Sequence, residues 1–140
     1  MKDQTAKIRL IKEWLGSGSI NIFGLPFSGK DTHGTELATM FDGPLIGGGD
    51  ILRSKLVPQH VTDAINGGNL APTDEYKEIV LHYLAQEEYE GKPLILSSVG
   101  RWIGKEKSVL EATESANHPI KCVILLNITK TEVWQRWTNN

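Results

Sequence analysis

The stretch Ile20-Asn-Ile-Phe-Gly-Leu-Pro-Phe-Ser-Gly-Lys-Asp-Thr32 limits what this chain can become more than any other. A β-prone run ends at Gly24, four residues intervene, and Gly29-Lys30 opens a helical pattern with a hydroxyl at Thr32. Strand, glycine loop and helix in that order make the G-x-x-x-x-G-K phosphate-binding pattern. Glycines let the backbone curl until N–H groups face an anion. A helix beginning near Lys30 adds the positive end of its dipole. Lys30 supplies a mobile cation for β- and γ-phosphates, and Thr32 an oxygen for Mg²⁺. Asp31 stands where the pattern has Ser or Thr. Its carboxylate is expected to point away, because facing the phosphates it would repel them. The competing reading is a strand-to-helix turn that binds nothing.

The rest of the chain alternates helical and strand patterns. Ile8, Ile11, Trp14 and Leu15 share one face of a helix over 4–15, which Gly16-Ser-Gly-Ser19 stops, acting as a flexible hinge. Residues 1–18 form this helix and hinge, and 19–140 the core. After a first strand through about Phe23, a helix covers about Lys30 to Phe41, with Leu37, Ala38 and Phe41 toward the sheet. Pro44 to Ile46 is a short strand. Ile51–Leu56 and Gln59–Ile65 are short helices parted by Pro58, and Asn66–Asn69 is a turn. Thr73 N-caps the next helix, whose stripe includes Ile79, Val80, Tyr83 and Leu84. Pro93–Leu96 reads as a parallel strand covered on both faces. A helix over about Gly104–Ala116, a strand over Ile120–Leu126 and a last helix capped by Thr131 complete the chain. The pattern predicts an α/β domain with a parallel sheet and right-handed crossovers.

A chain of 140 residues with 39% hydrophobic content suits one core. A net charge of −2 provides no basic field for nucleic acid, so any polyanion must be held locally. Cys122 is the only cysteine, which excludes a disulfide framework and fits a reducing compartment. No run reaches the length of a membrane span, and the first residues lack the apolar core of a signal peptide. A cytoplasmic protein is expected. The four histidines lack ligand spacing, so no zinc site is predicted. The tryptophans Trp14, Trp102, Trp134 and Trp137 read as packing or capping residues.

Two further segments follow strand ends, where open α/β sheets place ligands. In Gly47-Gly-Gly-Asp50-Ile-Leu-Arg53, Asp50 can hold the waters of Mg²⁺ and Arg53 can grip a phosphate in bidentate fashion. Equally, Asp50 can be a helix cap and Arg53 a solvated helix residue. Ser97-Ser-Val-Gly-Arg101 brings a second arginine to the same edge. Ser28 and Ser98 have no visible His base, which makes a serine hydrolase a weak reading.

Gly24–Thr32, Gly49-Asp-Ile-Leu-Arg53 and Gly100-Arg101, in that order, resemble the adenylate kinase family of nucleoside monophosphate kinases. That family reads G-x-P-G-x-G-K-G-T, T-G-D-x-L-R and D-G-F-P-R, and the similarity runs over about residues 19–138. The resemblance implies a three-layer P-loop NTPase fold, a parallel sheet flanked by helices, C-terminally incomplete. Gly24, Phe27, Ser28, Gly29, Lys30, Asp31 and Thr32 would cradle the phosphates of ATP, and Arg136 would lie over its base. Thr32 and Asp50 would serve Mg²⁺. Arg53 and Arg101 would clamp the acceptor phosphate and, with Lys30, act in catalysis. The helical segment over about 49–72 would bind the acceptor, with Gly48, Ile65, Asn69, Ala71, Ser98 and Lys105 around it.

The chain departs from that pattern at several positions. Phe27 and Asp31 replace loop glycines, Gly48 a threonine that helps read the acceptor base, Ser97 a metal-supporting aspartate, and Lys105 a glutamine that hydrogen-bonds adenine. The sequence also stops where the family continues into its lid, further arginines, a last strand and a last helix. Phosphoryl transfer rests on positioning and charge neutralisation, so a poor kinase is expected. The open sheet edge would be covered in part by helix 4–15 or by a second subunit. The leading expectation is ATP-dependent phosphorylation of a nucleoside monophosphate such as AMP, by a monomer or weak homodimer with no nucleic-acid or membrane partner. Alternatives are a catalytically silent nucleotide-binding module, a kinase for another small acceptor, or a decayed relative with no ligand.

Overall fold

Runs of apolar residues too short for helices alternate with amphipathic segments, and the backbone resolves them into strands separated by crossover helices. The computed structural model describes residues 2–54, 56–69, 73–100 and 104–139. The elements are α1 (Lys2–Leu15), β1 (Ser19–Gly24), α2 (Lys30–Phe41), β2 (Leu45–Gly47), α3 (Gly48–Leu52), α4 (Gln59–Asn66), α5 (Thr73–Leu84), β3 (Leu94–Ser97), α6 (Glu106–Ser115), β4 (Ile120–Leu126) and α7 (Lys130–Thr138), with a single 3₁₀ turn over Glu87–Tyr89. All strand pairs are parallel, in the order β2-β3-β1-β4.

Period-two alternation along the strands divides the core into two layers. Leu94 and Leu96 of β3 join Ile46, Ile51, Val61, Tyr76, Ile79, Val80, Val109 and Ala112, so α3 to α6 cover that face. Ile95, between them, joins Ile20, Ile22, Phe41 and Leu15 on the opposite face. Leu37 and Ala38 of α2 and Ile8 of α1 pack there too. β3 is buried throughout, as its unbroken apolar run requires.

The Gly16–Ser19 segment, expected to act as a hinge, is fastened. The Ser17 hydroxyl donates to Asn117 O at 3.0 Å, the Ser19 hydroxyl to His118 O at 2.7 Å, and His118 Nδ1 meets Ser17 O at 2.7 Å. Leu15 is fully buried, so α1 is anchored at its C-terminal end.

Several boundaries and caps differ from expectation. The helix expected at Ile51 begins at Gly48 and ends at Leu52. Thr129, not Thr131, caps α7, because its side chain accepts from Glu132 N–H at 3.1 Å. The side chain of Thr73 lies outside the described residues. Trp134 and Trp137 stack on each other, centroids 5.4 Å apart, and remain more than half exposed, so neither is core packing. Trp102 falls outside the described residues.

β4 is one of the sheet's two edges, opposite β2. Cys122, Ile124 and Leu126 face the α2 layer, while Val123 and Leu125 on the other face are exposed. Ile8 and Leu15 pack on the α2 side, so α1 does not cover those two side chains.

Candidate phosphate-binding site

β1 runs out at Gly24 between its neighbours β3 and β4, and the chain must rise over the sheet edge to enter α2. The Ser28 N–H donates to Leu25 O at 3.0 Å, closing a turn through Pro26 and Phe27. Pro26 at its second position and Phe27 at φ 64° make it a type II turn. Gly29 follows at φ 99°, a left-handed conformation that glycine adopts without strain, and caps α2. The first N–H of α2 to find an acceptor is that of His33, on Gly29 O at 3.0 Å. Its first-turn N–H groups therefore remain for an anion at the positive end of the helix.

Two side chains of the loop lie close to Gly24. Lys30 Nζ donates to Gly24 O at 2.9 Å and Leu25 O at 3.3 Å, which folds the ammonium back across the loop. Ser28 Oγ is the one buried side-chain polar atom without a hydrogen bond among the described residues. Burying an unpaired hydroxyl is costly, which makes this oxygen a candidate partner for a polar ligand. Gly24 is needed for that placement: a Cβ there would stand 2.5 Å from Ser28 Oγ and 3.0 Å from Leu126 O. Asp31 and Thr32 are exposed in the first turn of α2. Arg136, from the last turn of α7, donates Nη1–H to Phe27 O at 2.7 Å and Nε–H to Glu132 at 3.0 Å.

The acceptor candidates sit at the C-terminal ends of β2 and β3. A Cβ on Gly48 would meet Ser98 O at 2.9 Å, which explains why no side chain occupies that position. Ser98 has φ 55° and donates its N–H to Ile22 O at 2.8 Å. Asp50 Oδ2 accepts from Gly47 N–H at 2.8 Å, and Oδ1 from Arg53 Nη2 at 3.1 Å. Asp50 is thus a cap for α3 and Arg53 its partner, with side chains 54% and 75% exposed. Ile65 packs against the core, while Asn69 is exposed after α4. Lys105 is buried at the start of α6, its ammonium 5.3 Å from the centre of the Tyr76 ring. Arg101 and Ala71 lie outside the described residues.

One positioning residue was missed in the sequence. Asn21, buried in β1, donates to Val99 O at 2.9 Å and accepts from Val99 N–H at 3.3 Å. It ties the strand that feeds the phosphate loop to the turn that follows β3. The signal was present: a polar residue between Ile20 and Ile22 in a strand buried on both faces has to meet a partner.

Sheet order, crossover helices and glycine loop together define a three-layer P-loop fold of the kind that kinases use. No family model matches the chain. It is similar to adenylate kinases: 26% identical over 120 residues to that of Cyanothece sp., covering 82% of this chain and 61% of the relative. The Bacillus subtilis adenylate kinase is 25% identical over 122 residues, 84% of this chain and 56% of the relative. That of Lactiplantibacillus plantarum is 27% identical over 120, 82% and 54%. The chain therefore spans little more than half the length of these relatives. Among solved structures, a gluconokinase from Sinorhizobium meliloti shares the fold, with a TM-score of 0.53 and 20% identity over 88% of this chain and 65% of that one.

Proposed function

We propose that this chain carries the nucleotide-binding core of a nucleoside monophosphate kinase, with ATP as donor and a nucleoside monophosphate such as AMP as acceptor, acting in the cytoplasm. The observation that carries the reading is a glycine-capped loop at the end of a parallel sheet, with Lys30 folded over it, the Ser28 hydroxyl unpaired and the first turn of α2 open. These groups suit a polyphosphate, which offers acceptors to each donor. Full-length adenylate kinases resembling 82–86% of the chain support the same class.

In this reading Lys30 leaves the Gly24 and Leu25 carbonyls to follow the β- and γ-phosphates. Thr32 and Asp50 would hold Mg²⁺ and its waters; Asp50 retains lone pairs beyond those used by Gly47 and Arg53. Mg²⁺ when bound neutralises charge on the transferring group. Arg53 and Arg101 orient the acceptor phosphate so that its oxygen attacks the γ-phosphorus in line. The bond from that phosphorus to the β–γ bridging oxygen breaks, and ADP departs. No protein base is needed, because the attacking phosphate oxygen is already ionised. Ile65, Asn69, Ala71, Ser98 and Lys105 surround the acceptor.

A coupled assay for diphosphate product with AMP and other monophosphates tests this, beside calorimetry with diadenosine pentaphosphate, which bridges both half-sites. Product formation is expected with at least one monophosphate. Tight ATP binding with no product from any acceptor would overturn kinase activity and leave a nucleotide-binding module. The closed Asp50–Arg53 pair favours that second reading.

A further inference from the structure

We infer that Arg136 is a positioning residue of the phosphate loop, holding the Leu25–Ser28 turn in its anion-ready form through the Phe27 carbonyl; this rests on the loop binding polyphosphate. The third position of a type II turn needs a positive φ, which glycine adopts freely and phenylalanine does not. Phe27 nevertheless has φ 64° there, with its side chain partly in solvent. The turn thus contains a residue that resists its conformation, and something outside the turn must hold it.

Arg136 is placed to do so. Its guanidinium is braced by Glu132 one helical turn earlier, at 3.0 Å, and donates to Phe27 O at 2.7 Å. A charged donor makes this a strong hydrogen bond. The geometry is fixed from below as well: Gly24 pairs with Leu126 at the end of β4, and Thr129, three residues on, caps α7. α7 thereby hangs over the loop it braces. Turning the Phe27 peptide would remove both this bond and the Ser28 N–H to Leu25 O bond, and would move Ser28 and Gly29 away from the anion space. This role differs from contact with the donor base, because it does not require a base.

The test combines two ligands with hydrogen exchange on the empty protein. Binding of Mg²⁺-tripolyphosphate, which has no base, and of Mg²⁺-ATP is measured by calorimetry for wild type, Arg136→Ala, Arg136→Lys and Phe27→Gly. Arg136→Ala is expected to weaken both ligands by the same factor, about tenfold, with partial recovery in Arg136→Lys. In a Phe27→Gly background the same change is expected to cost less than about threefold, because glycine holds the turn unaided. In the absence of ligand, the Ser28 amide is expected to exchange about tenfold faster in Arg136→Ala. Loss of ATP affinity with tripolyphosphate affinity unchanged would overturn the proposal in favour of base contact. An equal loss in the Phe27→Gly background, or unaltered Ser28 exchange, would also overturn it. If wild type binds neither ligand while Ser28 exchange still responds, the polyphosphate reading fails and the latch stands.

Discussion

On the proposed donor side, Lys30 and Ser28 belong to one short loop leading into the first turn of α2, whereas on the proposed acceptor side Asp50 and Arg53 turn toward each other in solvent. The difference is between a site built of backbone and one built of long side chains. Turn geometry, a glycine cap and a helix terminus are fixed when the fold forms, so an anion meets donors already in place. An exposed arginine has no such constraint and takes the nearest carboxylate, at a net gain of about 0–1 kcal/mol. A phosphate that offers two charge-assisted hydrogen bonds outcompetes that pair. In the proposed function the donor half is therefore preorganised, and the acceptor half would complete itself on binding.

The strongest challenge to this contrast is Lys30→Ala. Affinity for Mg²⁺-ATP is expected to fall about a hundredfold, the combined weight of a lost charge and its hydrogen bonds to phosphate. Stability should change by less than about 1 kcal/mol, since the lysine now serves only two loop carbonyls. Calorimetry and urea unfolding check the two halves of the expectation. An unchanged ATP affinity would remove the donor side from the comparison.

Ser28→Ala probes preorganisation itself, and its two readouts should move in opposite directions. Removing a buried hydroxyl that has no partner is expected to stabilise the empty protein by about 1 kcal/mol, read as a higher urea midpoint. Polyphosphate binding should weaken about tenfold, because the same oxygen is then missing from the ligand's shell. A loss of stability would mean that the hydroxyl already has a partner in the empty protein.

The same contrast explains which parts of the molecule were readable in the sequence. Gly24, Gly29 and Lys30 declare the loop because each backbone requirement admits few residue types, and the apolar runs of β1, β3 and β4 declare the sheet. The meaning of Phe27 was not readable, because its positive φ depends on Arg136 more than a hundred residues away. The place of Thr129 as cap depended on where β4 lets go, which put the cap two residues before the expected Thr131. Asp50 and Arg53 were left with two readings for a physical reason: cap and phosphate grip use the same groups, and the structure displays the cap.

Arg53→Ala separates those uses. Both side chains are more than half exposed, so unfolding free energy should shift by less than about 0.5 kcal/mol. In the coupled assay, KM for the nucleoside monophosphate is expected to rise about tenfold, with ATP affinity unaltered. If ATP affinity fell instead, the arginine would belong to the donor half and the division drawn above would be wrong.

The smallest effect concerns the strut behind the acceptor side. Lys77 on α5 donates to Glu111 on α6 at 2.7 Å, and this hydrogen bond, followed by the charge of Lys77, holds the Glu111 carboxyl below its ordinary value of 4.5. A carboxyl whose folded value is depressed adds stability above its unfolded value and loses it as pH falls through the folded one. Glu111→Gln should therefore lower the urea midpoint slightly at about pH 7, and the difference should vanish once pH has fallen below the depressed folded value. Because the pair is partly exposed, salt should shrink the difference at neutral pH as well. A difference that persisted in acid would assign the contribution of Glu111 to packing between α5 and α6, not to its charge.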